Sequence, residues 1–201
     1  MQTEPRIALV DDDAAIRDAL KWLFASRGHS VATFDSAEAL LAEADPSRFG
    51  CLLLDLRMPG MGGMELLQAL NQRDYCPPVL FLTGHGDVPQ AVLAMKLGAV
   101  DFIEKPFDDN ELVNLVERYL ALDAERRVAH GNRREIEKRL EDLTPREKEV
   151  MELFLAGKLN KQIADALTIS MKTVEVHRAR VLDKMGVKSA VELANLLKEL
   201  G

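Results

Sequence analysis

Hydrophobic positions in the first 120 residues alternate between short continuous runs and helical spacing. Between the runs, apolar residues recur three or four positions apart, as in Ile16, Leu20 and Leu23, which predicts helices. The runs themselves are short and end at turn residues, so they predict buried strands. These strands cover residues 6–10, 29–34, 51–55, 79–82 and 100–104. Strands that alternate with helices five times predict an α/β fold with a parallel sheet covered on both faces.

The pattern becomes helical throughout after residue 120. Residues 121–142 carry six basic and six acidic side chains among few apolar ones, which predicts a solvated helical linker that can extend the preceding helix. Thr144, Pro145 and Glu147 then form a capping box that opens a helix. Three more helices are predicted over residues 160–167, 171–185 and 191–200. The expected organisation is an α/β domain at 1–120, a linker at 121–142 and an all-α domain at 143–201.

Charge is distributed unevenly between these parts. Residues 1–120 carry 10 basic and 19 acidic side chains, whereas residues 121–201 carry 16 basic and 14 acidic ones. The second part is therefore more compatible with a polyanion such as DNA. No apolar run approaches the roughly 18 residues that span a bilayer, no secretory signal is apparent, and the two cysteines indicate neither a disulfide framework nor a metal site. These features predict a cytoplasmic protein without a membrane partner.

Polar residues follow the predicted strands in a recurring pattern. Asp11 and Asp12 follow the first strand, Asp55 ends the third, Thr83 follows the fourth and Lys105 follows the fifth. Since the carboxyl ends of parallel strands share one sheet edge, these side chains are expected to converge. Clustered carboxylates repel one another unless a cation neutralises them, and a hard divalent ion such as Mg²⁺ suits oxygen ligands. A metal, an ammonium and a hydroxyl around one carboxylate are the groups needed for phosphoryl transfer to that carboxylate.

Some of these polar residues also have a structural explanation. Asp13 immediately precedes the first helix and is better explained as its cap than as a metal ligand. Asp11 or Asp12 alone could also be a cap, so the metal interpretation depends on their coincidence with Asp55. Residues 84–87, which include a histidine, are interpreted as a flexible connection to a helix rather than as a catalytic loop.

Four motifs in the first 120 residues occur in a specific combination. They are Val10-Asp11-Asp12, Leu54-Asp55-Leu56-Arg57-Met58-Pro59-Gly60, Leu82-Thr83-Gly84 and Phe102-Ile103-Glu104-Lys105-Pro106-Phe107. Together they resemble the receiver domain of two-component response regulators, over residues 1–120. The resemblance implies a five-stranded, flavodoxin-like parallel sheet.

The same resemblance implies a role for each pocket residue. Asp55 would accept a phosphoryl group from a sensor histidine kinase, and Lys105 would contact the phosphoryl oxygens. Mg²⁺ would bind Asp12, Asp55 and the Arg57 backbone carbonyl, with Asp11 acting through water or hydrogen bonds. The switch residues, which would move on activation, are Thr83 and Phe102. The peptide bond between Lys105 and Pro106 would be cis.

A second set of motifs lies in the helical part of the chain. They are Leu143-Thr144-Pro145-Arg146-Glu147, Asn160-Lys161-Gln162-Ile163-Ala164, Thr173-Val174-Glu175-Val176-His177-Arg178 and Lys184-Met185-Gly186-Val187. Residues 143–201 thereby resemble the LuxR-type DNA-binding domain, which has four helices. The two resemblances imply a response regulator of the NarL/FixJ class, and the stretch from Thr83 to Phe107 favours the FixJ-like branch.

Residues 160–185 are expected to form a helix-turn-helix whose second helix enters the DNA major groove. The core stripe of that helix is predicted to be Val174, Val181, Leu182 and Met185. The residues expected at DNA are Lys161, Lys172, Thr173, Glu175, Val176, Arg178, Ala179, Arg180 and Lys184. Glu175 would repel phosphates but can accept a hydrogen bond from cytosine. Two roles stay open for His177, as a packed residue or a base reader, and for Arg178, as a phosphate contact or a stem folded over the core.

The resulting hypothesis is a phosphorylation-controlled transcription regulator. Phosphorylation at Asp55 would reorganise the face formed by the helix at Val88–Leu97 and the fifth strand, and so favour a homodimer that binds promoter DNA and activates transcription with RNA polymerase. One alternative is a phosphatase of the haloacid-dehalogenase type, which needs an acid two positions after the nucleophile, where this chain has Arg57. The other is a receiver regulated without phosphorylation that acts through protein or RNA contacts; the intact pocket set disfavours it.

Overall fold

The computed structural model describes residues 6–84 and 88–200, except for the side chains of Glu43 and Glu199. The chain forms two compact units that divide between Arg126 and Arg127. The first unit contains the parallel sheet, and the described part of the second is helical. The predicted combination of an α/β fold with an all-α fold is confirmed.

The first unit is built on five parallel strands. They are β1 (Ile7–Val10), β2 (Val31–Phe34), β3 (Cys51–Asp55), β4 (Val79–Thr83) and β5 (Asp101–Glu104). Their order across the sheet is β2-β1-β3-β4-β5. Val10 pairs with Leu54, so the residues that follow them, Asp11 and Asp55, are neighbours at the carboxyl edge of the sheet.

Helices cover both faces of this sheet, which explains why its central strands are continuous apolar runs. The helices are α1 (Ala14–Ser26), α2 (Ala37–Glu43), α3 (Gly63–Asn71), α4 (Val88–Lys96) and the beginning of α5 (Asp109–Glu141). In β3, Leu52 and Leu54 pack in one buried cluster, whereas Leu53 packs in the cluster on the other face. A short 3₁₀ helix, Pro46–Arg48, precedes β3.

Helix starts in this unit lie where short polar side chains predicted them. Asp13 accepts a hydrogen bond from the Ala15 amide at 2.8 Å, and Ser36 accepts one from the Ala39 amide at 3.3 Å. These bonds satisfy amide groups that have no partner inside the first helical turn. The interpretation of Asp13 as a helix cap is confirmed.

The helix α5 is longer than either of the two helical segments predicted there. Residues 109–141 form one helix, which passes through Gly131 without a break. A glycine in a helix costs about 1 kcal/mol relative to alanine, but the surrounding residues are strong helix formers. Ion pairs one turn apart, Arg133 with Glu137 and Arg139 with Glu135, add support beyond the glycine.

The second unit packs four helices and the end of α5 around one core. The helices are α6 (Pro145–Leu155), α7 (Asn160–Leu167), α8 (Met171–Met185) and α9 (Ala190–Leu197), with a 3₁₀ turn at Lys198–Leu200 where the last helix was predicted to continue. The predicted capping box is present, because Thr144 and Glu147 each accept the other's backbone amide hydrogen. Of the predicted α8 stripe, Leu182 is half-buried, and three residues have no exposed surface: Val174, Val181 and Met185.

Candidate functional site

Asp55 ends β3 with both of its carboxylate oxygens hydrogen-bonded. Its Oδ2 accepts from the Arg57 amide at 2.9 Å, and its Oδ1 accepts from Lys105 Nζ at 2.8 Å. A side chain on Gly63 would put a Cβ atom 2.3 Å from the Asp55 carbonyl oxygen, so only glycine lets α3 begin this close to β3. Strand, loop and helix together fix the position of this carboxylate, which is 8% exposed.

Lys105 joins Asp55 to a second carboxylate. Its ammonium also lies 2.8 Å from Asp11 Oδ2, so one cation is shared by two anions. Burial by itself lowers the pKa of Lys105, but the hydrogen bonds to Asp11 and Asp55 outweigh burial, and the pKa lies above the usual lysine value. The lysine is therefore a fixed positive charge at neutral pH.

Asp11 and Asp12 differ in environment although they are adjacent in the chain. Asp11 is 1% exposed; its Oδ1 accepts from the Asp13 amide at 2.9 Å, and Arg17 donates to its carbonyl oxygen at 2.7 Å. Asp12 is exposed. The loop between β1 and α1 thus turns one carboxylate toward Lys105 and leaves the next one open to solvent.

The predicted switch residues lie on the neighbouring strands. Thr83 is 2% exposed at the end of β4, and its carbonyl oxygen accepts from the Lys105 amide at 2.6 Å. Phe102 in β5 is half-buried and packs against one of the two core clusters. The peptide bond between Lys105 and Pro106 is cis, as the resemblance implied. Two further residues of the predicted connection, His85 and Asp87, lie outside the described residues.

The donor atoms at this edge suit a hard cation better than a transition metal. Within residues 6–84 and 88–200, no group of three histidine, cysteine, aspartate or glutamate side chains forms a metal site by itself, so a cation at this edge would need ligands other than side chains as well. The available side-chain donors are the carboxylates of Asp11, Asp12 and Asp55. Mg²⁺ commonly binds through one or two carboxylates and keeps several waters. The donor chemistry therefore fits Mg²⁺ with a shell completed by water and a backbone carbonyl.

The predicted DNA residues lie mainly on the exposed side of α8. This helix starts at Ser170, whose Oγ accepts from the Thr173 amide at 3.1 Å. Thr173 is half-buried, whereas Lys161 on α7 is exposed. The exposed predicted residues of α8 are Lys172, Glu175, Val176, Ala179 and Arg180. Lys172 Nζ lies 3.4 Å from Glu175 Oε2, so the acidic residue partly neutralises a neighbouring lysine.

Three further residues of α8 contact other parts of the protein or are partly buried by them. Lys184 donates to Glu147 Oε2 at 2.7 Å, so its ammonium has an intramolecular partner, and its predicted contact with DNA stays a prediction. Arg178 lies over the ring of Phe154, 4.9 Å from its centroid, and donates to Asn160, as in the folded-stem alternative. His177 is half-buried, and its Nδ1 atom is buried without a hydrogen-bond partner.

The sequence pattern did not predict the burial of two carboxylates. Glu147 is 2% exposed; its hydrogen bond from Lys184 lowers its pKa to about 2, against the opposing effect of burial. Asp123 has no exposed surface and accepts from the Tyr75 hydroxyl at 2.8 Å and from Arg6 at 3.3 Å. Both residues lie in or beside charged helical stretches, where the one-dimensional pattern gives no sign of burial.

Comparison with known proteins assigns a family to this combination of sites. Residues 7–117 match the response regulator receiver domain, and residues 141–197 match the luxR family of bacterial regulatory proteins. The chain is a response regulator. Its two domains are those of the NarL/FixJ class, which confirms the family predicted from the motifs.

Relatives of this response regulator match it over nearly its full length. It is 44% identical over 201 residues to the transcriptional regulatory protein FixJ of Bradyrhizobium diazoefficiens, with 100% of this chain and 98% of the relative covered. It is 49% identical over 193 residues to the C4-dicarboxylate transport transcriptional regulatory protein DctR of Rhodobacter capsulatus, covering 94% and 98%. These relatives are transcriptional regulators, and the response regulator belongs with them rather than with enzymes.

Solved structures show the same fold. The response regulator StyR is 42% identical and superposes with a TM-score of 0.85, covering 98% of this chain and 100% of its own. Full-length FixJ from B. japonicum is 43% identical with a TM-score of 0.59, covering 100% and 98%. Within the described residues of the response regulator, no helix is both long and apolar enough to cross a membrane.

Proposed function

We propose that this response regulator is switched by phosphorylation of Asp55 and read out by α8 at promoter DNA. The observation that carries the proposal is the single ammonium of Lys105, 2.8 Å from both Asp11 and Asp55. It neutralises part of the carboxylate charge and leaves Asp55 beside a cation that can also meet phosphoryl oxygens. Electrostatic stabilisation of this kind supplies most of the catalysis in phosphoryl transfer.

The phosphodonor would be a phosphohistidine of a sensor kinase. A carboxylate oxygen of Asp55 attacks phosphorus, the phosphorus–nitrogen bond breaks, and the histidine ring keeps the electron pair and takes up a proton. The product is an acyl phosphate on Asp55. Because both Asp55 oxygens already accept hydrogen bonds, from Lys105 and from the Arg57 amide, the nucleophile is held in one orientation before the donor arrives.

Mg²⁺ would be held by Asp12, Asp55 and the Arg57 carbonyl, with Asp11 acting through water. When bound, the ion would neutralise charge on the phosphoryl oxygens. Asp12 is the exposed carboxylate of the group, which makes it the one most accessible to a hydrated cation. The carboxylate of Asp11, already bonded to Lys105 and to the Asp13 amide, would contribute to orientation.

The conformational response to phosphorylation would begin with Thr83 and Phe102. The Thr83 carbonyl is bonded to the Lys105 amide, so a shift of Lys105 toward a phosphoryl group would reach β4 and β5 directly. The adjoining helix α4 exposes apolar side chains, among them Val92 and Leu93 at 48% and 50%. We assign this face, together with β5, to the homodimer formed on phosphorylation, in which two α8 helices match two half-sites of promoter DNA. We also propose that the protein acts in the cytoplasm and activates transcription together with RNA polymerase.

The phosphorylation step is tested by incubating the protein with a radiolabelled small phosphodonor and Mg²⁺. Asp55→Asn should incorporate no label, because an amide is not a nucleophile here. Asp45→Asn is the matched control: Asp45 is an exposed aspartate that caps the 3₁₀ helix before β3, and its change should leave labelling intact. Full labelling of Asp55→Asn would refute the assignment.

The DNA role of α8 is tested on the same full-length protein. Lys172→Ala and Arg180→Ala should each weaken binding to a duplex selected from a random pool by the wild type. Each change should reduce the dependence of log Kd on log salt concentration by about one phosphate contact. Unchanged affinity and unchanged salt slope in both variants would remove α8 from the interface.

A further inference from the structure

The C-terminal end of α8 is tied to the last turns of α5 by side-chain hydrogen bonds. Arg139 Nη1 donates to the Met185 carbonyl oxygen at 2.8 Å. In the opposite direction, Lys184 of α8 donates to the Asp142 carbonyl oxygen at 3.0 Å. The last four carbonyl groups of a helix have no partner within the helix, so Arg139 satisfies one of them and places a positive charge at the negative end of the helix dipole.

The residue after this end leaves space for the arginine. Gly186 has a φ of +69°, and a Cβ atom on it would lie 2.7 Å from Arg139 Nη1. Its amide caps α8 by donating to Asp183 and Leu182. Gly186 has no side chain and a left-handed backbone conformation. It therefore ends α8 and leaves room for the guanidinium beside the last carbonyl group of the helix.

The guanidinium of Arg139 is fixed at both of its amino groups. While Nη1 is bonded to Met185, Nη2 lies 2.6 Å from Glu135 Oε1 one turn earlier on α5. The side chain is 35% exposed. Because Arg presents its donors in a rigid planar fork, two such contacts hold it in one geometry.

This part of α5 belongs to the core of the second unit. Ile136 of α5 and Leu143, two residues beyond its end, are each 3% exposed and pack in the same cluster as Val181 and Met185 of α8. The α8 helix is thus packed along its buried stripe, while its C-terminal end is positioned by a polar group from outside that stripe. Met185 is itself fully buried in this cluster, and the hydrogen bond from Arg139 adds a directional contact that fixes the position of its carbonyl group.

We propose that Arg139 is a positioning residue for DNA binding: it fixes the C-terminal half of α8, including Arg180, in the position that specific recognition needs. The residue touches no base or phosphate itself and acts through the Met185 carbonyl. The proposal rests on the proposed role of α8 at DNA. It concerns specificity rather than overall attraction to DNA, because Arg139 is not among the predicted phosphate contacts.

The test compares full-length Arg139→Met with Arg133→Met. Methionine keeps an unbranched stem and removes the guanidinium. Arg133 is a matched control on the same helix, since its guanidinium pairs only one turn along, with Glu137, among the contacts the structure describes for it. Fluorescence anisotropy would give Kd for the duplex selected by the wild type and for a random-sequence duplex, each at several salt concentrations. Thermal unfolding would give the folded fraction.

Arg139→Met should lose about five- to tenfold in affinity for the selected duplex, the equivalent of one ordinary hydrogen bond, because the partly exposed guanidinium is screened by solvent. Its affinity for random DNA and its salt slope should stay at wild-type values, and Arg139→Lys should recover part of the loss. Arg133→Met should match the wild type throughout.

Three results would overturn the proposal. The first is an unchanged ratio of selected to random affinity in Arg139→Met. The second is a salt slope reduced by about one, which would make Arg139 a direct phosphate contact. The third is an equal loss for both duplexes that follows the loss of folded protein, which would leave only a structural role. Failure of the α8 assignment is distinguishable, because it would show in Lys172→Ala and Arg180→Ala with Arg139 intact.

Discussion

Replacing Lys105 with methionine removes the ammonium that Asp11 and Asp55 share while it keeps an unbranched side chain in the same space. The lysine side chain is 17% exposed, and those of Asp11 and Asp55 are 1% and 12% exposed. Without the ammonium, two neighbouring carboxylates lose a charged donor and have limited access to water. We expect the receiver domain of Lys105→Met to be less stable than that of the wild type at pH 7.

The size of the effect follows from the two contacts. A hydrogen bond involving a charged group contributes about 1.5–3 kcal/mol, and the partial exposure of Asp55 favours the lower value for each contact. Two contacts then give about 3 kcal/mol, which agrees with the roughly 3–5 kcal/mol lost when one partner of a buried ion pair is removed. With an m value of about 2 kcal/mol per M, the urea midpoint should fall by about 1.5 M.

The assay can follow the receiver alone through pulsed amide hydrogen exchange of β3, whose residues before Asp55 have no exposed surface. Exchange read by mass spectrometry across a urea titration at pH 7 would compare the wild type with Lys105→Met. Lys96→Met, at an exposed lysine on α4, is the control and should keep the wild-type midpoint. Adding Mg²⁺ should stabilise Lys105→Met more than the wild type, since a cation would replace the missing charge.

The pH dependence of the difference gives a second check. Because the pKa of Lys105 is raised in the folded state, its contribution is complete below the ordinary lysine pKa of about 10.4 and is lost as the pH rises through the higher folded value. The two proteins should therefore differ by a constant amount from pH 7 to 9 and converge in more alkaline solution. Equal urea midpoints at pH 7 would refute the argument that the shared ammonium stabilises the pocket.

Two further predictions concern Glu147 and Gly63. The pKa of Glu147 is lowered to about 2. Its contribution of about 2 kcal/mol to the free energy of unfolding is therefore present above the ordinary glutamate pKa of about 4.3 and is lost as the pH falls through about 2. Glu147→Gln should remove this acid dependence. Amide exchange in α6 and α8 at pH 7 and pH 3 would measure it, and equal pH dependence in both proteins would contradict it. Gly63→Ala should destabilise the receiver by more than about 2 kcal/mol, because the new Cβ would lie 2.3 Å from the Asp55 carbonyl oxygen. Gly131→Ala is its control, with no atom within 4 Å of the new Cβ, and should stabilise α5 by about 0.5–1 kcal/mol; equal urea midpoints for the two alanine variants would contradict the steric argument.

Periodicity predicted the receiver well because its three central strands, β1, β3 and β4, are buried on both faces. Continuous apolar runs such as the one before Asp55 are unusual outside parallel sheets, and the polar residue that ends each run must lie at the sheet edge. The convergence of Asp11, Asp55 and Lys105 follows from that topology alone. The roles of these residues in phosphoryl transfer stay predictions.

The contacts that could not be predicted join residues far apart in sequence through their side chains. Lys184 has the spacing of an exposed basic residue on α8, yet its ammonium reaches Glu147, 37 positions earlier. Arg178 is drawn over Phe154 in the same way. A helical pattern gives the side of the helix on which a long side chain starts, but not where its charged end lies. The unbroken α5 is a different case, because the linker was predicted to be able to extend the preceding helix, and local helix propensity outweighs the cost of Gly131 within it.

The position of Asp123 shows how weakly a charge on Asp55 acts at the opposite end of the receiver sheet. Asp123 is buried near the amino end of β3, where a Cβ on Gly50 would lie 3.2 Å from its Oδ2, whereas Asp55 ends the same strand. Asp55 lies five residue steps along an extended strand from Gly50, or roughly 16 Å. At an effective dielectric constant of about 20, one added unit charge is felt over that distance as only about 1 kcal/mol.

The four residues of β3 before Asp55 have no exposed surface, so distance rather than screening by water weakens the field between the two charged ends of the strand. The ion pair between Arg6 and Asp123 would therefore persist whether or not Asp55 carries a phosphoryl group. It would keep the amino end of the sheet and the neighbouring part of α5 in place under the proposed phosphorylation. A signal from Asp55 would then depend more on the movement of packed side chains than on the weak field that reaches this end of the sheet.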